Sequence, residues 1–395
     1  MATYRNIRKV LNLPTLSESP SSGANGEMYF NTGDLALYIY DGEWKKVTQS
    51  QIATWSQTGT LTYTVFNPEG ASGNDFGYTL DTNNTYWISG NWNRASSGTG
   101  VVYLHKVSDG TVYRTTTNPN SNASDAFAGY ENAISDTYFA VGAPGYNSWA
   151  GRCYVYNIST GALVYTITGS AGNQLGLAME MTDTHLIVDA WGANEARVYT
   201  LSNGALAYTK TVTSGYLQVG INDTHFIVGE ENANEAKVYS LSDGSLVYTK
   251  TESSSVDYGR NVAMNSTHFA VADPTFDSNK GAVYVYAISD GSLVASLHNT
   301  SGLTLTTSSY FGGQLGRSGL KMSENYIAVG SGTNTEKVWI FKTEDSGATW
   351  TLDYELSAPA TGGRFCQVTV GQNVFIASGY KYNSASSDGT VYVYK

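Results

Sequence analysis

The sequence predicts an all-β fold, a seven-bladed β-propeller of four-stranded blades, closed by an N-terminal strand and preceded by a small β-meander. Two observations lead to this prediction: the number of sequence repeats and their length. A pattern of glycine-led strand, polar turn, apolar strand, loop and alternating strand recurs seven times, at intervals of 40 to 55 residues. Repeats of this length with short strands are typical of β-propellers. The equivalent position near the end of the third strand is taken by His105, Tyr156, Tyr199, Tyr239, Tyr286, Phe341 and Tyr394.

The strands of a repeat follow from alternation and turn residues. Val and Tyr alternate over residues 283–286, which fits a strand with unlike faces. Asp-Gly pairs such as Asp243-Gly244 predict hairpins, because glycine tolerates the positive φ of tight turns, and an outer strand is expected after each. The seventh repeat stops before its outer strand, whereas Leu61–Phe66 belongs to no repeat. We therefore expect Leu61–Phe66 to pair with Thr390–Tyr394 and close the ring, which leaves only short outer edges.

The N-terminal part is expected to form an attachment module. Residues 26–47 are typical of three short strands, with turns at Gly33-Asp34 and Asp41-Gly42. A meander of this size has too little core to stand alone and should pack on a partner. The preceding residues, rich in Ser and Pro, are expected to form an extended arm. The predicted domains are residues 1–50 (arm and meander), 51–60 (linker) and 61–395 (propeller).

Composition and charge limit the function. Among 395 residues there are 42 Gly and 30 Tyr, and the net charge of −11 argues against a nucleic-acid surface, which needs an excess of Lys and Arg. No apolar run has the length of a membrane span, and no secretory signal is expected. Cys153 and Cys366 fall in non-neighbouring blades, so we expect buried thiols and no disulfide. A polar exterior without an export signal suggests a virion component, assembled in a host cytoplasm.

Two stretches resemble known families. The sequence GEMYFNT…LYIYDGEWKKV, over residues 26–47, resembles a small module common in bacteriophage tail-fibre and other virion proteins. Segments such as Gly259–Ala263 and Gly281–Tyr286 are similar to FG-GAP-type propeller repeats, as in integrin α-subunit heads, over about residues 61–394. Many FG-GAP repeats bind calcium, but the loops at 273–279 and 230–235 depart from the Asp-x-Asp-x-Asp-Gly pattern. We therefore expect no metal ion and no cofactor.

Two further motifs could indicate an enzyme, and both are better explained by the fold. Residues 343–350, TEDSGATW, resemble the Asp box of sialidase-type propellers, in which Asp345 caps turn amides and Trp350 packs beneath. That motif lies at the blade periphery and carries no chemistry. His185, His225 and His268 each follow a Thr at the start of a second strand, in three successive blades, where they cannot converge on one zinc ion. No catalytic residue is therefore predicted.

A candidate binding site is expected at one mouth of the central channel, which the inner strands line. The residue after the glycine that opens each inner strand should contribute to a ring there. These residues are Tyr78, Tyr130, Leu177, Tyr216, Arg260, Arg317 and Arg364. The arginine arc needs carboxylates, water or an anion between its guanidinium groups, and beside tyrosine faces it could hold an acidic sugar or a partner's carboxylate. Arginine at this position can equally serve the scaffold by bonding to backbone carbonyls.

The functional prediction is a non-enzymatic bacteriophage virion protein, an appendage or fibre-type component. Residues 1–50 would bind other virion proteins, and the propeller would meet a host-surface glycan or protein; an oligomer in the particle is expected. The leading alternative is a carbohydrate-binding propeller lectin or an inactive glycosidase-like protein. A third is a cell-surface FG-GAP protein.

Overall fold

A computed structural model describes most of the propeller and the strands of the N-terminal part. The described residues are 15–16, 28–31, 36–40, 43–46, 61–69, 76–91, 100–121, 123–128, 130–213, 217–252, 257–307, 309–313, 319–331, 337–357, 364–372, 374–380 and 389–395. The chain divides into two compact units, Met1–Thr58 and Gly59–Lys395. Within the described residues, no helix has the length and apolar character needed to span a membrane.

The N-terminal unit contains one four-stranded sheet. Its strands, in sheet order, are β1 (Thr15–Leu16), β2 (Met28–Asn31), β3 (Ala36–Tyr40) and β4 (Trp44–Lys46). Strands β2 to β4 form the antiparallel meander expected from the sequence. The extra strand β1 comes from the segment expected to be an arm, and it pairs with β2 in parallel. Two residues are too few to show alternation, so β1 could not be predicted from the sequence pattern. The predicted turns at 33–34 and 41–42 and the linker 51–60 lie outside the described residues.

The second unit is the predicted propeller of seven four-stranded antiparallel blades. Blades 1 to 4 consist of β6 (Leu80–Thr82), β7 (Tyr86–Asn91), β8 (Val101–Lys106), β9 (Val112–Thr117); β10 (Asn132–Ile134), β11 (Tyr138–Ala143), β12 (Arg152–Asn157), β13 (Leu163–Thr168); β14 (Leu175–Met181), β15 (His185–Ala190), β16 (Glu195–Thr200), β17 (Leu206–Thr211); and β18 (Leu217–Ile221), β19 (His225–Glu230), β20 (Glu235–Ser240), β21 (Leu246–Thr251). Blades 5 to 7 consist of β22 (Val262–Met264), β23 (His268–Asp273), β24 (Ala282–Ala287), β25 (Leu293–Ser296); β26 (Leu320–Met322), β27 (Tyr326–Gly330), β28 (Lys337–Lys342), β29 (Thr351–Ser357); and β30 (Arg364–Val370), β31 (Phe375–Tyr380), β32 (Thr390–Tyr394), β5 (Leu61–Phe66).

Short helical turns complete the loops of the propeller. They are α1 (Tyr146–Trp149), α2 (Phe276–Asn279) and 3-10 turns at Ala123–Asp125, Trp191–Ala193, Glu231–Ala233 and Leu297–Asn299. α1 and α2 contain consecutive residues with left-handed backbone angles. They therefore turn the chain sharply between the second and third strands of blades 2 and 5.

The ring closes as the sequence predicts. Strand β5 is the outer strand of blade 7 and pairs antiparallel with β32, Thr390 opposite Phe66 and Val391 opposite Val65. Tyr63 also reaches blade 1, where its hydroxyl donates to the Val107 carbonyl at 2.8 Å. The N-terminal strand thus contributes both to blade 7 and to the contact between the last and first blades.

Outer strand β5 has the predicted bounds, the outer strands of the other six blades run further than the sequence indicated, and each of the seven begins with a β-bulge. In blade 6 this strand spans Thr351–Ser357, because Thr349 and Trp350, the last residues of the Asp-box motif, belong to the preceding turn. In every blade the register between the third and outer strands shifts by one residue at the repeated position that aligned the repeats. The repeat signal in the sequence therefore marks a bulge, which bends and twists the outer strand.

In the described part of the propeller the core lies between the blades and forms seven apolar clusters, one for each pair of adjacent blades. Tyrosines of the outer strands join neighbouring blades at the periphery. A Cβ built on Gly244 of blade 4 would lie 2.6 Å from the ring of Tyr208 in blade 3, and Gly244 has φ +71°. The hairpin glycine is thus required by its backbone angle and by its neighbour. The turns between first and second strands also connect adjacent blades. For example, the Asn222 side-chain amide donates to the Asn265 carbonyl at 2.6 Å.

Candidate functional site

The antiparallel blades give the ring two different ends. At the turn end the inner strands finish, for example at Thr82 and Met181, and short turns lead to the second strands. At the loop end the inner strands begin, beside the longer loops between second and third strands. The described members of the predicted binding ring belong to the loop end: Tyr78, Tyr130 and Arg260 precede inner strands, Arg364 opens β30, and Leu177 is the third residue of β14.

Among the described residues, three charged side chains from blades 1, 3 and 6 meet in the channel, where Asp81 is buried and Glu180 and Lys321 are largely buried. Lys321 Nζ lies 2.5 Å from Glu180 Oε2 and 3.5 Å from Asp81 Oδ1. Their side chains are 13%, 21% and 8% exposed, respectively. Asp81 Oδ2 also accepts the Ile134 backbone N–H at 3.0 Å. These residues, which we call the channel triad, fix charges of opposite sign across the ring.

Burial shapes the protonation of the channel triad. Burial and then the Asp81 carboxylate raise the pKa of Glu180 to about 7, although the Lys321 ammonium opposes this. Burial alone would lower the pKa of Lys321, but the carboxylates of Asp81, Glu180 and Glu131 raise it above its ordinary value. Lys321 therefore stays charged, whereas the raised pKa of Glu180 means that this carboxyl group loses its proton only near neutral pH.

A carboxyl group with a perturbed pKa in a cavity is a recognised sign of a functional site, and the size of the cavity limits what can bind there. The cavity around the channel triad has a volume of about 160 Å³. The next residue of each inner strand also lines it, and together these are Thr82, Ile134, Met181, Ile221, Met264, Met322 and Val370. Small-molecule sites commonly occupy about 300 Å³ or more. Here Lys321 lies between the two carboxylates, and the three charges compensate one another inside the ring.

The predicted ring at the loop end is described in part. Tyr78, Tyr130 and Arg260 are half-buried, and Leu177 is buried. Tyr216, Arg317 and the side chain of Arg364 lie outside the described residues, although the Arg364 backbone opens β30. The glycines before Tyr78, Leu177 and Arg260 have φ of +85°, +99° and +91°, which explains the repeated glycine.

Arg260 has a carboxylate partner. Its guanidinium forms a salt bridge with Glu231, which belongs to the loop of the preceding blade, and the two side chains are 17% and 11% exposed. Burial raises the pKa of Glu231, and Arg260 counteracts that shift. The neighbouring carboxylate Glu230 is bound by Lys237 at 2.7 Å. Each carboxylate of the acidic loop at 230–235 is therefore paired with a cation of the protein itself, and Lys237 binds both Glu230 and Glu235.

We expect the R260Q variant to be destabilised by about 2 kcal/mol, because Glu231 would lose its counter-charge in a largely buried position. The R260Q/E231Q double variant should regain most of this free energy in urea unfolding. Host-surface binding by the stable double variant then shows whether Arg260 only stabilises the fold or also contacts a ligand. Retained binding would leave Arg260 as scaffold, whereas lost binding would place it in a ligand site; a R260Q protein as stable as wild type would contradict the pairing.

An aromatic cleft lies beside part of the predicted ring. It has a volume of about 500 Å³ and is lined by Tyr130, Ser148, Trp149, Gly172, Gln174, Leu177 and Trp191. Trp149 belongs to α1 of blade 2 and is 46% exposed, an unusual fraction for so large a ring. Trp191 belongs to the equivalent loop of blade 3. The structure thus brings Tyr130 and Leu177 of the predicted ring together with two tryptophans that the sequence analysis did not single out.

The turn end carries a second, polar cleft. Asp136, Asp183 and Asp223 of three successive blades line a volume of about 590 Å³. Burial and then the Asp183 carboxylate raise the pKa of Asp136. Asp183 Oδ1 accepts the Thr137 backbone N–H at 2.8 Å, a bond between blades. Within the described part of the chain, no three His, Cys, Asp or Glu side chains are grouped so as to hold a metal ion.

The remaining motifs have structural roles. Asp345 accepts from the Thr349 N–H at 2.8 Å and the Thr349 hydroxyl at 2.6 Å, and Trp350 is buried, which confirms the capping role expected of the Asp box. The hydrogen bonds from Thr349 lower the pKa of Asp345 to about 2. His185, His225 and His268 each bond through Nδ1 to the preceding threonine hydroxyl, at 2.8 to 2.9 Å. Cys153 is a buried free thiol, whereas the side chain of Cys366 lies outside the described residues.

Of the comparisons with known proteins, only the structural one finds matches, and it shows the fold alone. No protein-family model and no curated protein sequence matches this chain. The structure is similar to a solved structure of U3-55K, with a TM-score of 0.59 and 11% identity, covering 83% of this chain and 98% of that one. Because 1312 solved chains match in structure, the fold is widespread and does not by itself indicate a function. The class shown is therefore that of β-propeller proteins.

Proposed function

We propose that this protein is a non-enzymatic structural component of a bacteriophage particle, an appendage or fibre-type part attached through its N-terminal unit. It presents an FG-GAP-type propeller to a host surface or to a partner protein, and it acts as an oligomer in the virion. The observation that carries the proposal is the N-terminal unit itself. The stretch that resembles a tail-fibre module contributes three of the strands of a sheet in a compact unit of its own.

The charge distribution and the clefts of the propeller support a binding role rather than catalysis. The channel carboxylates Asp81 and Glu180 are paired with Lys321, in a cavity too small for a typical substrate. The aromatic cleft, in contrast, is open, and the described residues that line it are all uncharged. Such a surface binds through shape and apolar contact, without the paired acid and base that hydrolysis requires.

Truncation of residues 1–50 is expected to leave a soluble, folded propeller that no longer enters particles, because strand β5 and the closure of the ring are retained. Incorporation is measured by complementing a phage that lacks this protein and probing purified particles with an antibody against the propeller. The truncated propeller should keep the melting temperature of unit two in the full-length chain.

The matched control is the full-length chain with Trp149 replaced by Asn, which leaves the N-terminal unit intact and should enter particles normally. Particles that contain the truncated protein at wild-type levels would refute attachment through residues 1–50.

A further inference from the structure

The aromatic cleft is built from three loops that hydrogen bonds hold together. The Gln174 backbone N–H donates to the Trp149 carbonyl at 2.8 Å, and the Gly192 N–H donates to the Asn173 carbonyl at 3.0 Å. The loops of α1, of residues 169–174 and of Trp191–Ala193 are therefore tied to each other by their backbones. The positions of Trp149 and Trp191 at the cleft are thus set before any ligand arrives.

Trp149 occupies a backbone conformation that does not suit it. Its φ is +64°, in the left-handed region that bulky side chains rarely adopt. The equivalent loop of blade 5, α2, has the same sequence of left-handed residues, and there the position is held by Asn279 with φ +70°. Asparagine tolerates this conformation far better than tryptophan does. Blade 2 therefore carries a strained tryptophan where its sister blade carries the residue that fits the backbone.

The second tryptophan also replaces a polar residue of a sister blade. Trp191 opens the 3-10 turn of blade 3, and Glu231 opens the same turn in blade 4, where it binds Arg260. On either side of one cleft, two adjacent blades thus carry a tryptophan where the blade with the equivalent loop carries a polar residue. Strain or exposure that the fold does not need is a sign of function, because such features cluster at binding sites.

The chemistry of the cleft selects its ligand. We propose that the aromatic cleft binds a neutral pyranose unit of a surface glycan, a ligand class that rests on the host-recognition role proposed above. The C–H bonds on one face of a pyranose carry partial positive charge and complement the electron-rich faces of indole and phenol rings. Ser148 and Gln174 supply a hydroxyl and an amide for sugar hydroxyls.

Charge and size favour a neutral sugar over an acidic one. None of the described residues that line the cleft is charged, and the chain has a net charge of −11, so an anionic sugar would meet no fixed cation among them. A volume of about 500 Å³ lies within the range of small-ligand sites and accommodates one or two sugar rings.

The test combines glycan binding with thermal melting of the full-length chain. Wild type, W149N and W191E are applied to an array of neutral, sialylated and uronic-acid oligosaccharides, and the neutral hits are titrated as free disaccharides by tryptophan fluorescence and saturation-transfer NMR. We expect wild type to bind neutral glycans and each variant to bind about tenfold more weakly or worse. W149N should melt at or above the wild-type temperature, because it gains the residue that the backbone favours.

Two controls make the result specific. L246T removes a similarly exposed apolar side chain from the outer strand of blade 4 and should bind glycans like wild type. N279W places tryptophan in the left-handed position of α2 and should lower the melting temperature. The proposal is overturned if wild type binds no neutral glycan, if it prefers acidic ones, or if W149N and W191E bind like wild type. Failure here would leave particle incorporation intact, whereas failure of attachment would appear only in the truncation of residues 1–50.

Discussion

A chain that begins at residue 67 is expected to lose about 5 kcal/mol or more of unfolding free energy, a large share of the stability of an ordinary domain. Without Leu61–Phe66, blade 7 has no outer strand and β32 presents an open edge. The cluster between blades 7 and 1 also loses Tyr63 and Val65, which pack against it. We expect calorimetry to show a lower and less cooperative melting transition. We also expect the shortened chain to aggregate through the exposed edge of β32.

The control for this deletion is the chain that begins at residue 51, which keeps β5. Its propeller should melt like that of the full-length protein, so the difference between the two truncations isolates strand β5. If residues 67–395 melt as cooperatively and at the same temperature as the full chain, β5 does not close the ring.

Replacing Lys321 by Met in the channel should cost about 4 kcal/mol, because it leaves Asp81 and Glu180 as unpaired carboxylates in a buried site. The triple variant D81N/E180Q/K321M should regain most of that free energy, since it removes the charges together. Urea unfolding measures the differences. The control is K337M: Lys337 pairs with Glu355 at the surface, both about one-third exposed, and its loss should change stability by about 1 kcal/mol or less.

The effect of K321M should also depend on pH in a defined direction. In the folded protein, burial and Asp81 raise the pKa of Glu180 to about 7, so folding favours its protonated form. The stabilising effect of that proton is complete below the unfolded pKa of about 4.5 and is lost as the pH rises through about 7. Without the Lys321 ammonium, which lowers this pKa, the K321M variant should lose more stability at about pH 8 than at about pH 5. Equal losses at the two pH values would show that Glu180 does not respond to Lys321.

His105 makes stability depend on pH in the opposite direction, and its contribution is the same in wild type and K321M. Burial lowers the pKa of His105 to about 4, so the neutral form is favoured and stability falls as the pH drops from about 6.5 towards 4. His105 lies stacked on Trp87 between blades 7 and 1, and K321M leaves it unchanged. Only the difference between wild type and K321M therefore reports on the channel.

The ring could be predicted because each repeat carries its own local signals. Alternation, Asp-Gly hairpins and the unclaimed strand Leu61–Phe66 led to the blades and to closure without any long-range information. The channel triad could not be predicted in this way. Asp81, Glu180 and Lys321 are far apart in sequence and occupy one position that varies from blade to blade, so their contact exists only once the ring is closed.

The candidate site was predicted in part for a related reason. The glycine of each inner strand pointed to Tyr130 and Arg260, but the carboxylate partner of Arg260 lies in another blade. Trp149 could not be identified from its own position in the sequence, because the residue type alone does not reveal that its φ is positive. Aligning α1 with α2 residue by residue exposes Trp149 against Asn279, and that comparison within the chain was the available clue.

The bulge at each outer strand has a consequence for crowded copies of this protein. A regular strand at the rim would let two molecules join their sheets through backbone hydrogen bonds, a contact that any partner strand can make. Because every rim strand is twisted at the repeated aromatic position, such sheet fusion is discouraged around the circumference. Contacts between neighbouring copies must then rely on side chains such as the exposed Leu206, Leu246 and Leu293, so their specificity is open to change by single substitutions.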